Sequence, residues 1–405
     1  MKRIPIVFPA LFILACGSDS NSVSPPGDGG KESSAPGADG AVVKQDGAAL
    51  TDSTVSMSDS GGDVTAEAGG PGTCSSAWCW QQLPGDSSLF SPSLSSVWGS
   101  SPNDVWITGD GGVLLHFDGT AWTATTHGVL NLNDVWGTSA TNVWVSGDAG
   151  TLLHYDGTAW TAMTLIAPPG LAALSDAGGA DSSADAGVSE TGVSETGASD
   201  GAVGGADAMA SADASAAVPL PVSAVRGTSA SDVWAVGDQG TMWHFDGASW
   251  KFVSSGTTTN LAWVWPIAAN SVWVVGDMGY IAHYDGTTWT PTPSGTTNNL
   301  SAAWGSSAND IWVSGKAQTM LHWNGTAWST TVINSPADLN GIYGRSASDV
   351  WVTGDFGALF HYDGTAWTPS PSGTANALTS VWPIPGGGST DLWAVGDLGT
   401  ILRHK

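Results

Sequence analysis

Positive charge is scarce in this chain. Ten Lys and Arg stand against 36 Asp and Glu, a formal net charge of −26. Affinity for nucleic acid comes largely from basic side chains displacing counterions, so a nucleic-acid partner is excluded, and an anionic membrane surface is disfavoured on the same ground. Glutamate is almost missing: Glu32, Glu67, Glu190 and Glu195 all fall in segments without large apolar residues. Cysteine is rare at three, and no apolar run is long enough to span a bilayer. What abounds is tryptophan, at 23, and glycine, at 55. Many Trp and Gly with few charges point to a large, turn-rich β structure.

The N-terminus has the layout of an export signal. Basic Met1-Lys2-Arg3 precedes the apolar stretch Ile4 to Leu14, too short for a membrane span. Ile13-Leu14-Ala15-Cys16 resembles the bacterial lipobox, which predicts a signal peptide over 1–15 and a lipid on Cys16 as the only membrane anchor. Gly17, in the place of an inner-membrane retention Asp, favours the outer membrane of a cell envelope. Residues 16–72 are rich in Gly, Ser, Ala, Asp and Pro. Such a chain cannot bury enough surface to offset its ordering entropy, so it is expected to be a disordered acidic tether with an r.m.s. reach of about 40 Å. A second segment of this kind, 168–221, is expected to be a disordered insertion.

The rest, 73–405, repeats itself. Val-Trp or Ile-Trp pairs, or a close variant, recur at Trp106, Trp144, Trp234, Trp273, Trp312, Trp351 and Trp393, with spacings of 38, 90, 39, 39, 39 and 42. The 90 is one period plus the insertion. Two further ladders keep step: Trp98, Trp136, Arg226, Trp265, Trp304, Tyr343, Trp382, and Trp122, Trp160, Trp250, Trp289, Trp328, Trp367. A period near 40 with short strands marks a propeller blade. In the first repeat, strands are expected at Leu94 to Gly99, Asp104 to Gly109, Val113 to Phe117 and Thr120 to Thr125. Gly109-Asp110-Gly111-Gly112 and Asp118-Gly119 supply the turns. The last repeat stops after its third strand, while Ser76-Ala77-Trp78-Cys79 matches Thr120-Ala121-Trp122-Thr123. The prediction is an all-β, seven-bladed β-propeller closed by its N-terminal strand, with insertion 168–221 between blades 2 and 3.

The repeat Asp-Val-Trp-x-x-Gly-Asp-x-Gly-x-Leu-x-His-Phe-Asp-Gly-Thr-x-Trp resembles the BNR-type propellers over 76–167 and 222–405, most closely the branch of the photosystem II assembly factors. The hairpin Asp118-Gly119-Thr120-Ala121-Trp122 is one residue shorter than the family's Asp-box. The sialidase branch would imply an Arg cluster, a Tyr nucleophile and a Glu partner. Here Arg226, Arg345 and Arg403 occupy non-equivalent positions and the repeats hold no Glu. The chain is therefore expected to be a binding scaffold without an active site.

Four sets of residues are candidates for function or structure. Asp110, Asp148, Asp238, Asp277, Asp355 and Asp397 follow the Gly of each turn, with Lys316 replacing the seventh. They are expected to form turns, or a carboxylate ring that attracts a basic partner; Ca²⁺ is the lesser possibility, because it wants several oxygens on one ion. No other cofactor is expected. His116, His154, His244, His283, His322 and His361 recur in the third strand and should each tie it to a neighbouring turn or Asp. Trp80, Trp243, Trp263 and Trp323 fall outside the ladders and are candidate contacts for a sugar or a protein. Cys74 and Cys79 would lie about 16 Å apart in a straight strand, so a disulfide needs a loop between them; the sequence leaves that open. A monomer binding a protein at the cell surface is the favoured reading. The alternative is a carbohydrate-binding or degenerate glycosidase propeller.

Overall fold

Each Asp-Val-Trp run becomes the second strand of a blade, and it carries apolar residues on both faces because it packs on both. Asp104–Gly109 is buried at every position. The fourth strand lies at the outer edge, so Trp122–Thr126 turns Trp122 inward and leaves the rest exposed. The computed structural model describes residues 74, 77–81, 92–165, 220–335, 337–384 and 391–404. They form seven four-stranded antiparallel sheets. Blades 1 to 6 run 94–126, 132–162, 222–252, 261–291, 300–330 and 339–369. Blade 7 takes Leu378–Pro383, Leu392–Gly396 and Thr400–His404, and its fourth strand is Trp78–Trp80.

The closure is as the sequence implies. Trp78 pairs with His404 and Trp80 with Leu402, antiparallel. Cys74 and Cys79 are joined by a disulfide, because the chain turns back on itself and brings their Cα atoms to 4.0 Å. The boundaries of the insertion need correction. Pro221 belongs to blade 3, since its carbonyl accepts the Asp238 amide. Residues 1–73 and 166–219, with the expected signal peptide, Cys16, the tether and the insertion, lie outside the described residues.

Tryptophan explains how the blades are joined. At every interface the fourth-strand Trp of one blade stands edge-on to the second-strand Trp of the blade before it. The pairs are Trp160–Trp106, Trp250–Trp144, Trp289–Trp234, Trp328–Trp273, Trp367–Trp312, Trp78–Trp351 and Trp122–Trp393, with centroids 5.3–5.7 Å apart and planes at 78–90°. Each pair contributes about 0.5–1.5 kcal/mol beyond its buried area. Trp78 fills the seventh position. The ladder at the start of each repeat turns toward the axis, where Trp265 of blade 4 meets Tyr343 of blade 6 at 5.4 Å.

Candidate functional site: the face of the Gly-Asp turns

Alternating strand direction puts the second-to-third-strand turns and the connections between blades on one face. The short fourth-strand hairpins lie on the other.

On the first face the turns share one backbone frame. The Asp110 and Asp277 amides donate to the carbonyls of Ser93 and Asn260, just before a first strand, and the Asp238 carbonyl accepts from Thr241. The residue after the Asp sits in the left-handed region, at φ 66° for Gly111 and 48–57° for Ala149, Gln239, Met278, Ala317, Phe356 and Leu398. Its amide often donates to a side chain of the next connection, as Gln239 to Asn260 and Met278 to Asn299.

The Asp side chains are partly engaged as turn chemistry would have it. Asp148, Asp277 and Asp355 accept from the amides of Asn133, Asn260 and Asn340, and Asp397 accepts from Ser93. They also sense one another. Asp110 is raised above the ordinary carboxylate range by burial first, then by Asp397 and Asp148. Asp238 is raised by burial, then by Asp277 and Asp148. The structure therefore brings Asp397, Asp110, Asp148, Asp238 and Asp277 within electrostatic reach of one another in a run along blades 7, 1, 2, 3 and 4. Blade 5 breaks it: Lys316 lies 3.3 Å from Asp338 and 3.4 Å from Asn340. Among the described residues no three His, Cys, Asp or Glu side chains converge as metal ligands, so the Ca²⁺ expectation finds no donor set.

The opposite face is more regular, with blade 3 departing through an ion pair of Lys251 with Asp246 and blade 7 through its N-terminal fourth strand. Asp118, Asp156, Asp285 and Asp363 each accept the amides two and three residues on and the following Thr hydroxyl. The Thr158 hydroxyl and these amides hold Asp156 down at about 2. Asn324 makes the same bonds in blade 5.

The histidines are structural, as their repetition implied. Each stacks on the Trp of its own second strand, at 3.9–4.3 Å between ring centroids. Nε2 reaches the first residue of that strand, as His116 to Asp104 at 2.8 Å and His154 to Asn142 at 3.0 Å. Blade 7 substitutes Arg403, whose guanidinium lies over Trp393 and grips Asp391.

Of the four extra tryptophans, Trp80, Trp263 and Trp323 are half-buried and Trp243 is buried. Trp243 is buried against Phe252. Trp323 stands where blades 1 to 4 and 6 have Phe or Tyr, packed on Trp273 and Trp328. Trp80 is half-buried in the closing blade. Trp263 lies under the Arg226 guanidinium at 4.4 Å. Arg226, in the place of an axial Trp, bonds Asp134, which also accepts from Ser96 and the Val225 amide.

The connections from Ser255 to Asn260 and Ser294 to Asn299, nearly identical in sequence, share one internal frame: Ser255 and Ser294 each bond the Thr carbonyl two residues on, and Ser372 does so again between blades 6 and 7. Variation lies elsewhere on this face. Met278, Phe356 and Leu398 are 67%, 74% and 64% exposed. Sequence reasoning passed over them, although aligning the repeats shows large apolar residues where blades 1, 2, 3 and 5 have Gly111, Ala149, Gln239 and Ala317.

The sequence matches no family model and no curated protein. Solved structures share the fold. YCF48 from Cyanidioschyzon merolae aligns over 81% of this chain and 98% of its own at 15% identity, with a TM-score of 0.56. A structure described as YCF48 bound to D1 peptide aligns over 82% and 98% at 16% identity, TM-score 0.57. The extracellular domain of the putative hybrid two-component system BT3049 from B. thetaiotaomicron aligns over 81% of this chain and 41% of its own at 12% identity, TM-score 0.56.

Proposed function

We propose that this propeller is a non-catalytic scaffold that binds a protein through the face of the Gly-Asp turns. The observation that carries the reading is the contrast between the two faces. In blades 1 to 6 the hairpin face repeats the same Asp or Asn turn, with Lys251 on Asp246 in blade 3 the departure, so it can specify little. The turn face gathers the run of carboxylates, the single Lys316 and side chains that differ between blades. A propeller of the same fold is described as bound to a peptide, which supports a protein partner. Of the four aromatic candidates for a sugar contact, Trp243 is buried and Trp80, Trp263 and Trp323 are half-buried, which leaves the carbohydrate alternative without a favouring observation. We place the protein in a bacterial cell envelope, held by lipid on Cys16; Cys16→Ala should release it from membranes, and unchanged partitioning would contradict the anchor.

Photo-crosslinking amino acids at Ala149 and Gln239 on the turn face, and at Thr158 and Thr326 on the hairpin face, test the binding mode in the full chain. Protein adducts should form from the turn face alone. Equal yields from both faces would contradict the reading.

A further inference from the structure

Among the described residues, the large apolar side chains that stand exposed are Val129, Leu130, Met278, Val332, Phe356 and Leu398. Every one lies in a Gly-Asp turn or a connection between blades, and hence on a single face. Exposed apolar side chains scattered singly need no explanation, but their confinement to one face does.

Met278, Phe356 and Leu398 occupy the same turn position in blades 4, 6 and 7, at φ 54°, 57° and 53°. Only glycine adopts that region without steric cost, and blade 1 does use Gly111 there. At 64–74% exposed these side chains bury little, so folding gains nothing from them. Beside Met278 the surface forms an open groove whose lining includes Tyr280, Pro291 and Pro293.

We propose that the turn face recognises a cationic peptide segment, seating its large apolar side chains on Met278, Phe356 and Leu398 while its Lys and Arg lie against the neighbouring carboxylates. The inference rests on the protein-binding reading above and adds the chemistry of the partner. Charge selects the occupant. Each of the three apolar residues directly follows a carboxylate, Asp277, Asp355 or Asp397. A neutral apolar segment would strip water from those carboxylates without replacing it, which is costly. An acidic segment is repelled, and so are an anionic lipid surface and a second copy of a chain carrying a net charge of −26. A segment that interleaves basic and apolar residues satisfies both features.

The test is selection of random short peptides displayed on phage against the immobilised full-length protein, followed by affinities of the selected peptides in solution. Enrichment of Lys and Arg beside Phe, Leu, Met or Trp is expected. Met278→Ser, Phe356→Ser and Leu398→Ser combined should weaken those peptides by about tenfold or more with the fold retained by circular dichroism, and Phe356→Leu alone should largely preserve binding. Peptides of another composition, or basic peptides that the triple variant binds equally well, would overturn this inference while leaving binding through the turn face standing if they compete for it. No selected peptide at all would overturn this inference, as would self-association or uptake by zwitterionic vesicles that the triple variant abolishes, whereas the protein-binding reading falls on equal crosslinking from the two faces.

Discussion

His116 and its five counterparts each tie the third strand of a blade to its second. Each imidazole lies flat on an indole and bonds the residue that opens the second strand. At Asp104 and Asp349 the arrangement leaves a mark on titration. Burial raises Asp104, but hydrogen bonds from His116, Ser100 and Trp106 prevail and hold its carboxyl below the usual range, and Asp349 is lowered in the same way with help from Arg345. A depressed carboxylate adds stability that is present above its unfolded value of 3.8 and lost as pH falls through the folded one. His154 and His283, which meet Asn142 and Ser271 instead, are lowered by burial. Their contribution is present above 6.5 and declines on acidification below it. The melting temperature should therefore fall in two stages. His154→Gln with His283→Gln should flatten the first and Asp104→Asn with Asp349→Asn the second, since Asn142 already fills this role in blade 2. An unchanged profile in both double variants would contradict these assignments. The repeated histidine and its partner were legible in the sequence. The arginine that replaces it in blade 7 was not, because a single Arg403 carries no periodicity.

At the scale of elements, the first strands hold a substitution that no periodic pattern explains alone. Arg226 interrupts the axial aromatic ladder, and Asp134 and Trp263 differ from their counterparts because they answer it. Arg226 is 2% exposed and Asp134 fully buried. Removing one partner of a buried pair costs about 3–5 kcal/mol, whereas replacing both by well-packed neutral groups is often neutral or stabilising. Asp134→Ser alone should destabilise the domain strongly, and Asp134→Ser with Arg226→Trp, the residues of blade 1, should recover most of the loss. Chemical denaturation of the three proteins decides this; a double variant no better than the single would refute the coupling. The turns give a second expectation. Phe356→Gly relieves a left-handed backbone worth about 1–2 kcal/mol against a glycine entropy of about 0.5–1, so melting should hold or rise slightly. Strand positions and turn residues were legible here because Gly and Asp recur with the period. The shared frame of the Ser255 and Ser294 connections was not, because the repeated Ser-Gly-Thr-Thr does not by itself show that the serine hydroxyl bonds the carbonyl two residues on.

The whole molecule depends on joining its two ends. Trp78 is fully buried and takes the seventh place in the circuit of edge-on indole pairs, so Trp78→Ala should cost about 3–5 kcal/mol, and deletion of 73–84 should lower the melting temperature of the whole domain rather than of one blade. A deletion that melts like the intact chain would contradict closure. Replacing 168–219 by a short Gly-Ser linker should leave melting nearly unchanged, because loop closure costs only about 0.6 kcal/mol per doubling of length. The number of blades and the closing strand could be read from spacing alone, since a missing fourth strand at one end and a spare one at the other admit one solution. The exposure of Met278, Phe356 and Leu398 could not, because apolar residues in a repeat read as core until the turn geometry points them outward.

The central claim is that this protein binds through its acidic turn face and does no chemistry there. The most direct measurement is the affinity of the crosslinked partner for the full chain and for Asp238→Asn, Asp277→Asn and Asp355→Asn combined, at low and at high salt. The variant should bind about tenfold or more weakly at low salt, converge toward the parent as salt screens the carboxylates, and melt no lower, since repulsion along the run is relieved. Undiminished binding by the variant, or turnover of a glycoside by the purified protein, would contradict it.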